Sequence, residues 1–526
     1  MKNGCIKLNA INAIKVDNTL QFFQCVLFEG KKIEIGDEAF KNLELSFDFL
    51  KDFSKDKIIY GINTGFGPMS QYRISDADLK QLQYNLIRSH CSGAGNHIHP
   101  MYVKAGMMCR LVNILQAKSG IHPECAVLLK DFINNDIIPV IFEHGGVGAS
   151  GDLVQLAHLA LALIGEGDVY FQGSIVPASV AMRKCKLKPI GIHIREGLSL
   201  INGTSIMTGI AIVNLIYAKR LFNWSVMAGS IINEIVDSFD DGFSKELNAV
   251  KLHEGQQQVA KMMRSILAGS KLIKKRQNTL YNRKVTEKII KEKVQEYYSL
   301  RCMPQVLGPV YDTIGFASKI VCSEANSVND NPIVDMETKN VYHGGNFHGD
   351  YISLEMDKLK IAITKMTMLL ERQLNFLLNP KLNEKFSPFV NLGVIGLNLG
   401  MQGLQFTAVS TTAECQTLSF PNSLHSIPNN NDNQDVVSMG TNSALMTKKV
   451  IDNAYEVLSI YLIALLQAVE FMNEKEKMSD TTYNVFNSLR QIVPVFRDDT
   501  PKYPEIAKMK QHLMLNDVKI KINGSV

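Results

Sequence analysis

The sequence predicts a mainly α protein, with a long central helical bundle and a smaller mixed N-terminal region. Three observations carry this. Two long segments repeat apolar residues at three- and four-residue steps, and a third is apolar nearly all round. Strand signals, by contrast, are short and scattered.

Taken in chain order, the strand candidates are "KKIEI" at 31–35, "VYFQG" at 169–173 and "NPIVD" at 331–335. They do not alternate with helices in the way a doubly wound parallel sheet requires. Residues 203–235 read as an internal helix, because no polar face is left for solvent. In "SLEMDKLKIAITKMTMLLERQLNFLLNP", Leu359, Ile363, Met366, Leu370, Leu374 and Leu377 form one stripe, which Asn379-Pro380 ends. In "VIDNAYEVLSIYLIALLQAVEF", Ile451, Tyr455, Leu458, Leu462, Leu465 and Val469 form another. Long helices over 353–379 and 445–475 with such stripes are what a bundle buries. The expected organisation is an N-terminal region 1–202, a central bundle 203–480 and a C-terminal helical segment 481–526.

Composition excludes several classes. The chain has 526 residues, 46% apolar and 20% charged, with a formal net charge of +5. That balance makes no case for a polyanion partner. The most basic stretch, "KLIKKRQNTLYNRK" at 271–284, lacks the interleaved aromatics of a single-strand binder and reads as a solvated face. Nine cysteines without a C-x-x-C pair suit a reduced compartment. The N-terminus "MKNGCIKLNAINAIKVDNTL" lacks the apolar core of a secretory signal. The apolar run 457–471 is broken by Ser459, Tyr461 and Gln467 and is short for a bilayer span. A soluble cytoplasmic protein is expected, with no nucleic-acid or membrane partner.

The stretch "VIFEHGGVGASGDLVQLAHLA", residues 140–160, contains a literal G-x-G-x-x-G, with Glu166 and Asp168 about where a dinucleotide fold places its ribose-binding acid. Pro139 argues against the central strand that fold needs. Asp152, followed three residues later by Gln155, reads as a helix N-cap with a capping-box partner. A carboxylate there would repel a pyrophosphate. A serine-hydrolase elbow fails because Asp152 replaces its second glycine, and a Walker loop lacks its Gly-Lys-Ser/Thr. A tight structural turn remains one reading. The other is chemical. Were the Gly151 nitrogen pressed onto the Ala149 carbonyl carbon, a five-membered ring would close. Loss of water from the ring and from the Ser150 side chain would leave an exocyclic methylidene, a strong electrophile.

The sequence resembles the ammonia-lyases that use a methylidene-imidazolone (MIO) group, the histidine, phenylalanine and tyrosine ammonia-lyases and related aminomutases, within the ammonia-lyase and fumarase/aspartase-like superfamily. Eight motifs agree in order between about residues 25 and 515: "YGINTGFGPM" (60–69), "NLIRSHCSGAG" (85–95), "GGVGASGDL" (145–153), "INGTS" (201–205), "QEYYSLRCMPQ" (295–305), "NDNPIV" (329–334), "HGGNFHGD" (343–350) and "NNNDNQDVVSMG" (429–440). The whole-chain likeness is to the bacterial tyrosine-type branch. The resemblance implies a mostly α homotetramer with sites shared between chains. It also implies an MIO group, 4-methylideneimidazole-5-one, formed autocatalytically from Ala149, Ser150 and Gly151, with no metal and no external cofactor.

Roles follow from the same resemblance. Tyr60, in a glycine-flanked loop, would remove the β-proton; a free phenol ionises well above neutral pH, so the site's dipoles must stabilise the phenolate. Tyr298 would assist proton movement or amine departure. Arg301 would clamp the substrate carboxylate with its planar fork. Asn202 would hold the MIO oxygen or the carboxylate, while Gln295, Phe347 and Gln434 line the pocket. Glu414 would sit near the amine or ring, since a carboxylate on an otherwise apolar helix needs a partner. Asp152 would help ring formation besides capping its helix. Ser89-His90 is the pair that histidine lyases commonly carry after "NLIR", yet His90 could bond a phenol as readily as an imidazole, and so could Asn430 and Gln434. The expected reaction is ammonia elimination from L-tyrosine to trans-p-coumarate. The alternatives are histidine to urocanate, then phenylalanine elimination or an aminomutase reaction.

Overall fold

Every residue of the two predicted stripes, Leu359 to Leu377 and Ile451 to Val469, is at most 1% exposed. A computed structural model of the protein, describing residues 4–8, 18–282, 284, 286–518 and 520, places them on the helices Asp350–Leu378 and Gly440–Met472. The first helix ends one residue before Asn379, whose side chain then accepts from the Lys381 amide at 3.0 Å and starts a short new helix. The apolar stretch 203–235 forms the helix Ser205–Ile235, and a further long helix spans Met303–Ala325.

The helix containing 457–471 is much longer than that apolar run suggests. It and Ser205–Ile235 are long and apolar enough to cross a bilayer by length and composition alone. Their most apolar windows are 78% and 89% buried within the fold, the condition of core helices.

Strands are few among the described residues. Ile6–Leu8 pairs in parallel with Ile33–Ile35, and Ile333–Asp335 pairs antiparallel with Asn340–Tyr342. Ile138–Pro139, Asp168–Phe171 and Ser174–Pro177 make a three-stranded antiparallel sheet in that order. Pro139 therefore sits on an edge strand, where its missing donor costs nothing. The described residues of the basic stretch are mostly exposed and form a loop with one helical turn, Arg276–Thr279.

The chain groups into two compact units, each assembled from three separated segments rather than the consecutive blocks expected. One comprises Met1–Ile216, Ala317–Asp357 and Pro421–Lys448; the other comprises Tyr217–Phe316, Lys358–Phe420 and Lys449–Val526. Four of the dividing points fall inside the four longest helices, which is why no cut in sequence order separates the units. The first unit holds all the strands named above. The second buries both helical stripes.

Candidate active site

Residues 145–152 turn the chain from the strand Phe142–His144 into the helix Leu153–Leu163. Gly148 and Gly151 have φ of +76° and +74°. A side chain at Gly148 would strike the Ser438 hydroxyl, and one at Gly151 the Gly203 carbonyl. Glycine is thus required by both conformation and space. The turn is pinned from outside. The Gly148 carbonyl accepts from the Gly349 amide at 2.9 Å and the Ser438 hydroxyl at 3.1 Å, and the Val147 carbonyl accepts from the Met439 amide at 3.0 Å.

Asp152 corrects the capping expectation. It stands at the N-cap position of its own helix, but its side chain caps nothing there, and neither polar atom of the Gln155 carboxamide has a partner among the described residues. Instead the carboxylate accepts from the Ile206 and Met207 amides, both at 2.9 Å, and from the Thr441 hydroxyl at 2.6 Å. It caps the helix Ser205–Ile235, leaving its own. The cause is the parallel bridge between Gly151 and Gly203, which lays that helix start beside Asp152. Burial pushes the Asp152 carboxyl up to about 6, against these donors and the charge of Arg110.

Ser150 is held at both of its oxygens. Gln434 Nε2 donates to the hydroxyl at 3.0 Å, and Asn202 Nδ2 donates to the carbonyl at 3.2 Å. Asn202 Oδ1 is buried with no partner among the described residues. The Tyr60 loop approaches from the other side, where the Gly67 amide donates to the phenol oxygen at 3.2 Å and Phe66 packs edge-on against the ring. Fully buried Gln83 fixes this loop in place. It donates to the Gly61 carbonyl and accepts from the Leu198 amide, each at 3.0 Å, so one side chain ties the tyrosine loop to the helix that leads into Asn202.

Tyr60, Ser150, Asn202 and Gln434 line one pocket of about 350 Å³, together with Ser89, His90, Phe347 and Asn430. That volume is on the scale of a small-molecule site. His90 Nδ1 lies 2.9 Å from the Leu86 carbonyl and 3.1 Å from the Ser89 hydroxyl; in the tautomer that donates to that carbonyl, Nε2 is the acceptor. Ala149 and Asp152 lie buried behind this wall with Gly151.

Four expected residues belong to the second unit and do not line this pocket: Gln295, Tyr298, Arg301 and Glu414. Tyr298 is 71% exposed, with the Arg301 guanidinium 4.6 Å from its ring centre. Gln295, its carboxamide oxygen turned to the guanidinium, accepts from Arg301 Nη2 at 2.6 Å. The premise for Glu414 is corrected. Its face of the helix Gln402–Leu418 is exposed, and the carboxylate accepts from Asn453 at 2.6 Å and pairs with Lys449 at 3.6 Å.

Sequence reasoning missed Gln83 and three pocket asparagines, Asn85, Asn331 and Asn433. Asn85 had a readable signal, since Leu82, Asn85, Leu86 and Ser89 share one face at helical spacing on Leu79–His90. Gln83 had none, because its two partners lie 22 and 115 residues away.

With this geometry in hand, comparison with known proteins is specific. A family profile described as aromatic amino acid lyase matches residues 19–491. A tyrosine 2,3-aminomutase of Chondromyces crocatus is 39% identical, covering 84% of each chain. A histidine ammonia-lyase of Shouchella clausii is 35% identical over 94% of this chain and 96% of its own. Among solved structures, the tyrosine aminomutase of Streptomyces globisporus superposes with a TM-score of 0.91 at 30% identity, covering 97% of this chain and 96% of that one. The chain belongs to the aromatic amino acid lyase family.

Proposed function

We propose that this protein eliminates ammonia from L-tyrosine to give trans-p-coumarate, using an MIO group made from its own Ala149, Ser150 and Gly151. The observation that carries the reading is that one small pocket brings Ser150, Tyr60 and His90 together.

The residues fit the group. In the proposed maturation the Gly151 nitrogen bonds to the Ala149 carbonyl carbon and that oxygen leaves as water. A second water takes the Ser150 hydroxyl and its α-hydrogen. The Ser150 carbonyl oxygen survives this condensation, and it is the atom that Asn202 Nδ2 holds. The hydroxyl that must leave is the one that Gln434 holds. The finished group supplies an electrophile for the substrate's amino nitrogen.

The chain's other residues then have defined tasks. Tyr60 takes the β-proton, with the Gly67 amide aimed at the oxygen that gains charge. The unpartnered Asn202 Oδ1 accepts from an N–H of the substrate's neutral amino group, which keeps its lone pair for the electrophile. His90 Nε2 accepts from the phenol hydroxyl at the far end. Tyr298, Arg301, Gln295 and Glu414 act in the site of a neighbouring copy, within a cytoplasmic homotetramer. Exposed apolar side chains such as Tyr351 and Leu354 in the first unit, and Phe406 and Val409 in the second, support such packing.

A second reading is favoured by the relatives named tyrosine 2,3-aminomutase. In it the same proton and amine are removed, but the nitrogen returns at the β-carbon. The histidine alternative rests on Ser89-His90 and on the ammonia-lyase relatives.

Incubating the purified protein separately with tyrosine, histidine and phenylalanine tests these readings, with products followed by absorbance and chromatography. Coumarate as the main product is expected. β-Tyrosine as the main product would replace elimination by the aminomutase reaction, and urocanate alone would replace tyrosine by histidine. No product from any of the three would overturn the proposal.

A further inference from the structure

Away from the catalytic pocket, two histidines and a glutamate converge, and two of the three, His122 and Glu124, line an open cleft of about 960 Å³. His122 precedes the helix Pro123–Asn134, Glu124 sits in its first turn, and His193 arrives on a separate loop 69 residues later. None of the three lines the pocket that holds Tyr60 and Ser150. Their convergence is built from below by one fully buried residue, Glu196. One of its oxygens accepts from the His122 amide at 3.2 Å; the other accepts from the His193 and Ile194 amides at 2.7 and 2.8 Å. A single carboxylate thereby clamps the two backbones that carry the imidazoles. Phe47 packs edge-on against both rings, at 4.9 Å from His122 and 5.9 Å from His193 between ring centres.

We propose that His122, Glu124 and His193 form a binding site for one divalent transition-metal ion of the zinc type. Glu124 Oε2 lies 3.6 Å from His122 Nδ1 and 3.7 Å from His193 Nε2. One ligand atom from each of the three falls within 4.8 Å of the other two. Metal bonds of about 2.0–2.2 Å at tetrahedral angles separate ligand atoms by about 3.4 Å, so this triangle needs little closure. The donor set decides the class of ion. Two imidazoles and one carboxylate suit zinc and its first-row neighbours, whereas calcium and magnesium take oxygen ligands. His122 and Glu124 line the cleft and His193 is 37% exposed, so three protein ligands leave the remaining coordination positions to water.

Two features define how the ion is taken up. The His122 and His193 rings lie 4.1 Å apart and 25° from parallel, so one must tilt for both lone pairs to meet. His193 has that freedom, since its side chain is 37% exposed against 25% for His122. His122 Nδ1 also accepts weakly from the Glu124 amide, at 3.3 Å. The ion replaces that helix cap.

Zinc titration by calorimetry, on the full-length protein after chelator treatment, tests the site. One zinc per chain is expected. His193→Asn and Glu124→Gln should each weaken it by at least 100-fold, as should His122→Asn, whose asparagine preserves an N-cap acceptor. Cobalt substitution separates this site from the nine cysteines, because nitrogen and oxygen ligands give no sulfur-to-cobalt charge-transfer band. Zinc binding of unchanged stoichiometry and affinity in the His122→Asn/His193→Asn double variant, a thiolate band, or no binding by the parent would each overturn the proposal. Glu124→Gln keeps both imidazoles and the clamp from Glu196, so it decides the matter if a histidine variant fails to fold.

Discussion

Gln434 Nε2 donates to the Ser150 hydroxyl at 3.0 Å, although 284 residues of chain separate them. The loop that delivers Gln434 is closed by a bridge between Asn429 and Gln434. Between them Asn430, Asn431 and Asp432 all take left-handed φ, at 56°, 51° and 57°. Asparagine and aspartate tolerate that region better than other residues with a side chain, which explains the run "NNND". In the proposed maturation, the contact aims a donor at the Ser150 hydroxyl, the oxygen that the second dehydration must expel.

Gln434→Ala is therefore expected to slow maturation. One lost hydrogen bond of about 0.5–1.5 kcal/mol corresponds to a roughly two- to tenfold slower step. Mass spectra taken at intervals after synthesis would follow the loss of water, and a parent-like time course would remove Gln434 from the process.

Tyr60→Phe should separate chemistry from maturation. Turnover is expected to fall roughly 100- to 10,000-fold, the usual contribution of a positioned proton acceptor. The mass deficit should remain, since Tyr60 does not contact Ala149, Ser150 or Gly151 by hydrogen bond. Activity within a few-fold of the parent would show that another group takes the proton.

Asp152 gives a pH prediction. Its carboxyl titrates at about 6 in the folded chain against 3.8 for the ordinary group. The folded state thus holds the proton more tightly, and its stability falls as pH rises from about 4 to 6 and then levels off. The shift is worth about 3 kcal/mol. Asp152→Asn keeps an acceptor for Ile206 and Met207 and carries no charge. Denaturation midpoints of parent and variant should nearly coincide at pH 4 and separate at pH 7, with the variant higher. A constant separation across that range would contradict a buried, titrating Asp152.

His90→Leu removes the acceptor at the far end of the pocket while keeping apolar volume. The ratio of kcat/KM for tyrosine over phenylalanine is expected to fall roughly 10- to 100-fold, the effect of about 1–3 kcal/mol for one ligand hydroxyl. Steady-state kinetics on both substrates would measure it. An unchanged ratio would place the hydroxyl elsewhere.

Much of this was legible beforehand, for physical reasons. The stripes over Leu359–Leu377 and Ile451–Val469 are visible because burial of one helix face imposes a spacing on the sequence. Gly148 and Gly151 are visible because only glycine fits their φ and their close neighbours. Long-range partners leave no such trace. Asp152 and Gln155 have the spacing of a capping box, yet the helix that Asp152 caps begins more than fifty residues later. Glu414 looked apolar in its surroundings until the helix phase put it beside Lys449. Tyr298 and Arg301 share a motif and a stacking contact, but a motif carries no record of which pocket its residues line. His122 and His193 lie too far apart for any metal-site spacing to expose them.

Intact mass of the mature protein tests the central claim most directly. Condensation of Ala149, Ser150 and Gly151 predicts a chain lighter than its encoded sequence by two waters, with the deficit confined to the peptide holding these residues and absent in Ser150→Ala. A fully folded preparation at the encoded mass, with that peptide linear, would contradict it.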